Sequence, residues 1–142
     1  MDRKSRVKAL LQTLAHDVRD YQQLQPLLQQ QYTLMQQRDS RGLTDSNHQL
    51  QPLLHTLQQR ATERCQHLQA LGLPADDNGM QALFRALPEQ LSASAQQQWQ
   101  QLHQLIQACQ QQNSRNGKLL AQQKQLVTQL LKPDAGLTYA PR

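Results

Sequence analysis

Apolar residues recur along this chain in steps of three and four, the spacing of one helical face. From residue 3 onward, Val7, Leu14, Tyr21, Leu28 and Met35 return every seven residues, and Leu10, Leu11, Val18, Leu24 and Tyr32 widen the stripe. This spacing predicts a first helix over 3–38. Asp39-Ser40-Arg41-Gly42 then reads as a turn, with Gly42 in the left-handed conformation that commonly ends a helix. Thr44 or Asp45 is placed to cap a second helix over 44–71, which carries Leu50, Leu54, Leu57, Ala61, Leu68 and Leu71 in register. Gly72 and Pro74 stop it. A short helix over 80–87 follows, Pro88 breaks it from a long helix over 89–131, and Lys132-Pro133 ends that one.

The last helix carries the most informative pattern. Trp99, Leu102, Ile106, Cys109, Asn113, Asn116, Leu120, Gln123, Val127 and Leu130 alternate at three and four, an a/d seam against other helices. Asn113 and Asn116 interrupt the seam and Gly117 follows, a residue that costs a helix ~1 kcal/mol relative to Ala. Two readings of this patch stay open. The Asn side chains bond across the seam and fix its register. Alternatively, the weakness leaves the helix loosely held, with Leu119, Leu120, Leu126, Val127, Leu130 and Leu131 available to a partner helix.

Prolines stand inside both earlier helical patterns, in the near-identical runs Gln23-Leu24-Gln25-Pro26-Leu27-Leu28 and Gln49-Leu50-Gln51-Pro52-Leu53-Leu54. Each removes a backbone hydrogen bond and predicts a bend, the two lying roughly level in an antiparallel hairpin. The echo itself reads as a coincidence of low complexity.

Composition agrees with an all-α chain. Of 142 residues, 31 are Gln and 26 are Leu, both good helix formers, while aromatics make up 4%. The pattern predicts an elongated antiparallel hairpin or bundle of three long helices and one short one, with coiled-coil-like packing. It forms a single domain over 1–132, followed by a flexible tail over 133–142. Net charge is +5. Arg3, Lys4, Arg6 and Lys8 cluster at the N-terminus, and Arg115, Lys118, Lys124, Lys132 and Arg142 dominate the last third. Without aromatic interleaving or a Gly-rich loop, these charges read as solvated helix faces rather than nucleic-acid readout. No stretch reaches the ~20 apolar residues of a membrane span, and no signal-peptide run opens the chain. The expectation is a cytosolic protein that is not integral to a membrane, with Cys65 and Cys109 reduced.

Enzyme chemistry finds no footing. Acidic residues are few, and no paired carboxylates stand out on one helix face. His48 and His55 lie seven apart and Cys65 and His67 two apart, neither a zinc spacing. No nucleophile–base pair or phosphate loop is present. Neither a metal nor a cofactor is expected.

Asn113-x-x-Asn116-Gly117-x-Leu119-Leu120, a Leu-rich stretch, Leu131-x-Pro133 and Tyr139 in the tail resemble the FlgN-type flagellar export chaperones. The likeness is best from Gly72-Leu73-Pro74 through Trp99 to Tyr139, and the first 70 residues match in organisation. After the tyrosine the family usually carries Gly; Ala140-Pro141-Arg142 stands here instead. The resemblance implies an α-helical, non-enzymatic chaperone that binds hook–filament junction proteins before their export. It also implies that the face of Asn113, Asn116, Leu120, Val127 and Leu130, with Gly117, Leu119 and Gln123 beside it, receives the client's terminal helix. Tyr139 matches a tail tyrosine implicated in docking to the export gate. The competing expectation is a self-associating coiled-coil protein using the same stripe. Client-free, that stripe buries itself by forming a homodimer or by folding back on the first two helices.

Overall fold

The computed structural model describes the backbone of residues 1–131 and side chains through residue 125. Four helices follow one another: α1 (Arg3–Gln36), α2 (Ser40–Ala70), α3 (Asp77–Ala86) and α4 (Glu89–Leu131). Among the described residues there is no strand. The Asp2 side chain starts α1 by accepting the Ser5 N–H at 2.7 Å.

The α1–α2 turn differs from the expected one. Arg38, not Gly42, takes the left-handed conformation, with φ 54°. That lets the Asp39 N–H reach back to the Leu34 carbonyl at 3.0 Å and close the helix end. Asp39 in turn caps α2, accepting the Gly42 N–H at 2.9 Å, so α2 begins at Ser40 and neither Thr44 nor Asp45 is the cap. A Cβ at Gly42 would come within 2.6 Å of Asp39 Oδ2 and 2.7 Å of Leu34 Cδ2, so the ends of those two side chains would have to shift.

Both prolines lie inside continuous helices, Pro26 in α1 and Pro52 in α2. The carbonyls they leave without an N–H belong to Gln22 and His48, both solvent-exposed residues, so water can satisfy them. At the far end of α2, Gly72 (φ 76°) allows the Leu73 N–H to bond the Leu68 carbonyl at 2.9 Å. Asp76 caps α3 through the Gly79 N–H at 3.1 Å. The helix therefore starts at Asp77, ahead of the expected residue 80. Leu87 is extended, as a residue before Pro88 should be. The Ser92 hydroxyl then ties α4 to α3 through the Phe84 carbonyl at 2.7 Å.

α1 is the central helix, packed against both α2 and α4. α4 runs parallel to it: Asn116 meets Leu28, and seven residues later Gln123 meets Met35. The apolar core has two parts. At the α3 end, Leu10, Leu14, Leu68, Met80, Phe84 and Leu102 are fully or almost fully buried. Toward the α1–α2 turn, Leu24, Leu28, Leu50, Leu57 and Cys109 form a smaller cluster.

Between the two lies a polar layer that sequence reasoning missed. Asp17, 1% exposed, accepts from Arg60 and Arg64 at 2.7 Å each, and Asp20 accepts from Arg60 at 2.8 Å. The expectation of no paired carboxylates on one face is thus corrected: Asp17 and Asp20, one turn apart, share a face of α1 and serve packing. Burial works against the Arg60 guanidinium, but its bonds to both carboxylates more than offset this and raise its pKa.

Candidate binding face on the last helix

The seam of α4 rotates as it rises. Ala95, Leu102, Cys109 and Asn116, spaced by seven, are all buried. The alternating set drifts outward: Trp99 and Ile106 are half-buried, Asn113 is exposed and Leu120 is 40% exposed. A straight helix turns 3.6 residues rather than 3.5 per turn, so a heptad stripe walks ~20° per repeat. Over three heptads one half of the stripe leaves the interface.

The sole tryptophan of the chain, Trp99, anchors the lower part of α4. Its indole N–H donates to Asp77 Oδ1 at 2.7 Å, Arg64 lies 5.6 Å from its ring, and the His103 ring packs against it at a tilt of 49°, centroids 4.6 Å apart. The Trp99 bond, helped by one from Gln81, holds the Asp77 carboxyl below its ordinary pKa.

Farther along, polar contacts replace apolar ones. Asn116 Nδ2 donates to the Leu28 carbonyl at 2.8 Å and to Gln31 Oε1 at 2.9 Å, while its Oδ1 accepts from Gln112 at 2.9 Å. Gln123 Nε2 donates to the Met35 carbonyl at 2.6 Å. The Arg115 guanidinium sits 4.4 Å over the Tyr32 ring.

The residues proposed from sequence as a binding set therefore divide. Asn116 and Gln123 point inward and hold α4 on α1. Leu119 is half-buried, while Asn113, Gly117 and Leu120 face outward. A Cβ at Gly117 would meet nothing within 4 Å, so intramolecular packing does not require glycine there. The side chains of Val127 and Leu130, and the whole of Tyr139, lie outside the described residues.

Burial pushes the Cys109 thiol up, which disfavours thiolate chemistry. Among the described residues no group of three or more His, Cys, Asp or Glu could hold a metal ion. No helix among them is long and apolar enough to cross a membrane.

This face is built from one long helix of an all-α bundle. The FlgN protein family matches residues 1–133. The chain belongs to the FlgN family. A crystal structure from Pseudomonas aeruginosa, of a protein assigned to flagella synthesis as FlgN, is 26% identical with a TM-score of 0.72. The match covers 78% of this chain and 85% of that one. No curated protein matches the sequence.

Proposed function

We propose that this protein serves flagellum assembly as a cytosolic type III secretion chaperone rather than as an enzyme. It binds the helical terminal segments of hook–filament junction proteins, prevents their premature assembly and delivers them to the export gate. Family membership and the likeness to a protein assigned to flagella synthesis support the flagellar role.

The observation that carries the chaperone reading is the change in α4 beyond Cys109. There the helix is held by Asn116 and Gln123 on main-chain carbonyls of α1, and it turns Asn113, Gly117 and the 40% exposed Leu120 outward. A client terminus would fold against this side of α4 and cover apolar surface that otherwise promotes early polymerisation. Ordering the client costs roughly 2–5 kcal/mol, which keeps affinity moderate and release feasible. In this reading Val127 and Leu130 extend the client stripe, and Tyr139 serves docking to the cytoplasmic domain of the export gate.

The test is titration of the full chain with the C-terminal segment of its own organism's junction protein. Wild type is compared with the double variant Leu120→Asp/Val127→Asp. One-to-one binding that disappears in a still-helical variant supports the chaperone reading. No binding by wild type at high micromolar concentration, together with a stable homodimer that the double substitution dissociates, would favour a self-associating coiled-coil protein instead.

A further inference from the structure

A second apolar surface lies at the opposite end of the molecule, where α1 begins. On α1, Val7, Leu11 and Ala15 form one ridge at every fourth position, and Lys4, Lys8 and Gln12 form the ridge beside it. Both ridges line a groove of about 990 Å³ whose other wall is α3 and the start of α4. Leu10 and Leu14 serve the core, whereas Val7 and Leu11 are only half-buried and Leu91 across the groove is 45% exposed. Small residues, Ala82, Ala86 and Ser94, keep that wall low enough for a backbone to approach. From Arg3 to Ala15 the groove extends ~18 Å along α1, a little over three helical turns.

Its charge is one-sided. Arg3, Lys4 and Lys8 rim the groove, and no Asp or Glu lines it.

We propose that this groove docks an amphipathic helix of a partner protein, about three turns long, with an apolar stripe flanked on one edge by Asp or Glu. The site is separate from the α4 face and does not rest on the chaperone reading. Other occupants fit less well. From Gln98 to the end of α4 is ~50 Å of helix, and residues 132–142 reach at most ~40 Å fully extended, so those residues do not span the distance. A two-fold pair of copies would set two basic rims against each other. A flat anionic bilayer meets the rim but not the recessed apolar floor, whereas a helix laid in a groove meets both.

The test uses the full chain and two dye-labelled designed helical peptides that share one Leu stripe, one edged with Glu and the other with Lys. Fluorescence anisotropy should show the Glu-edged peptide binding at least about tenfold more tightly, the preference shrinking with salt. Lys4→Glu/Lys8→Glu should reverse the preference. Leu91→Asp, at an exposed position, should weaken both peptides with an unchanged circular dichroism spectrum. Leu120→Asp/Val127→Asp should alter neither affinity, so failure here is distinguishable from failure at α4. Equal affinity for the two peptides, or a preference indifferent to charge reversal at Lys4 and Lys8, would overturn the proposal. So would absence of binding at several hundred micromolar. Tighter capture by phosphatidylserine vesicles than by the Glu-edged peptide, lost in Leu91→Asp, would assign the groove to membrane instead. Self-association abolished by that substitution would assign it to a second copy.

Discussion

Replacing Asp17 with Ala removes the shared acceptor of two arginines from the middle of the bundle. Arg60 and Arg64 have side chains only 13% and 11% exposed, so neither can be fully rehydrated without moving α2 away from α1. Removing one partner from a buried ion pair typically costs 3–5 kcal/mol, because the remaining charge is left uncompensated. Here Arg60 keeps Asp20 at 2.8 Å, and Arg64 keeps Thr13 at 3.3 Å and the Trp99 ring. Those retained partners place the expected loss at the low end, about 3 kcal/mol. For a chain of this size that lowers the melting temperature by roughly 10 °C. Urea unfolding, followed by far-ultraviolet circular dichroism and Trp99 fluorescence, gives the free energy directly. Arg19→Ala is the internal control, since Arg19 is 65% exposed and 3.8 Å from Asp20 and should matter by less than ~0.5 kcal/mol. Exchanging Asp17, Asp20, Arg60 and Arg64 together for apolar residues of similar volume should restore most of the loss. An Asp17→Ala cost under ~1 kcal/mol at unchanged m would refute the view that this layer holds α2 on α1.

Gly117 and Gly79, both in helices, should respond in opposite ways to alanine. Gly117→Ala should stabilise by up to ~1 kcal/mol, because the added methyl meets no neighbour and the helix gains propensity. Gly79→Ala should destabilise by about 1–3 kcal/mol, because its Cβ would run into the Pro74 carbonyl; thermal melts of the two variants check both signs. Acid should loosen the α3–α4 contact. The Asp77 carboxyl is held below its usual value of ~3.9 by the Trp99 bond, so its contribution is complete above that value and is lost as pH falls through the lowered one. Trp99 emission should therefore change below pH ~4, and a profile identical in Asp77→Asn would sink this assignment.

The helical character of the chain was legible because a Leu/Gln alphabet with a three-four stride leaves few alternatives. Turn chemistry was less so, since polar capping candidates stand in clusters. Asp39, Ser40, Thr44 and Asp45 all lie near the first turn, and the left-handed Arg38 selects Asp39 among them. Asp76 and Asp77 compete in the same way before α3. The ion layer did leave a trace. Asp17 stands in the stripe of Leu10, Leu14, Tyr21, Leu24 and Leu28, where a charge is out of place. Arg60 lies about as far beyond the turn as Asp17 lies before it, so folding the chain back at Arg38 would have paired them. The rotation of the α4 seam was harder to foresee. A heptad pattern written on paper does not say which half of the stripe an uncoiled helix turns away, and here Asn116 stayed inside while Asn113 left.

The polar layer has a consequence for how order is distributed along the molecule. Below it, apolar side chains from all four helices lock together around Phe84, Met80 and Trp99. Above it, the second cluster has five buried members, and amide side chains help to fasten α4. The bundle is a rod clamped firmly at one end and gripped lightly at the other. Opening should start at the α1–α2 turn and be arrested at Asp17, so the tip can splay and re-close many times for each global unfolding event. Amide protons around Met35 and Asn116 would then exchange orders of magnitude sooner than those around Leu14 and Leu102. A partner that inserts at the tip would work against the soft half of the rod, leaving its foundation undisturbed.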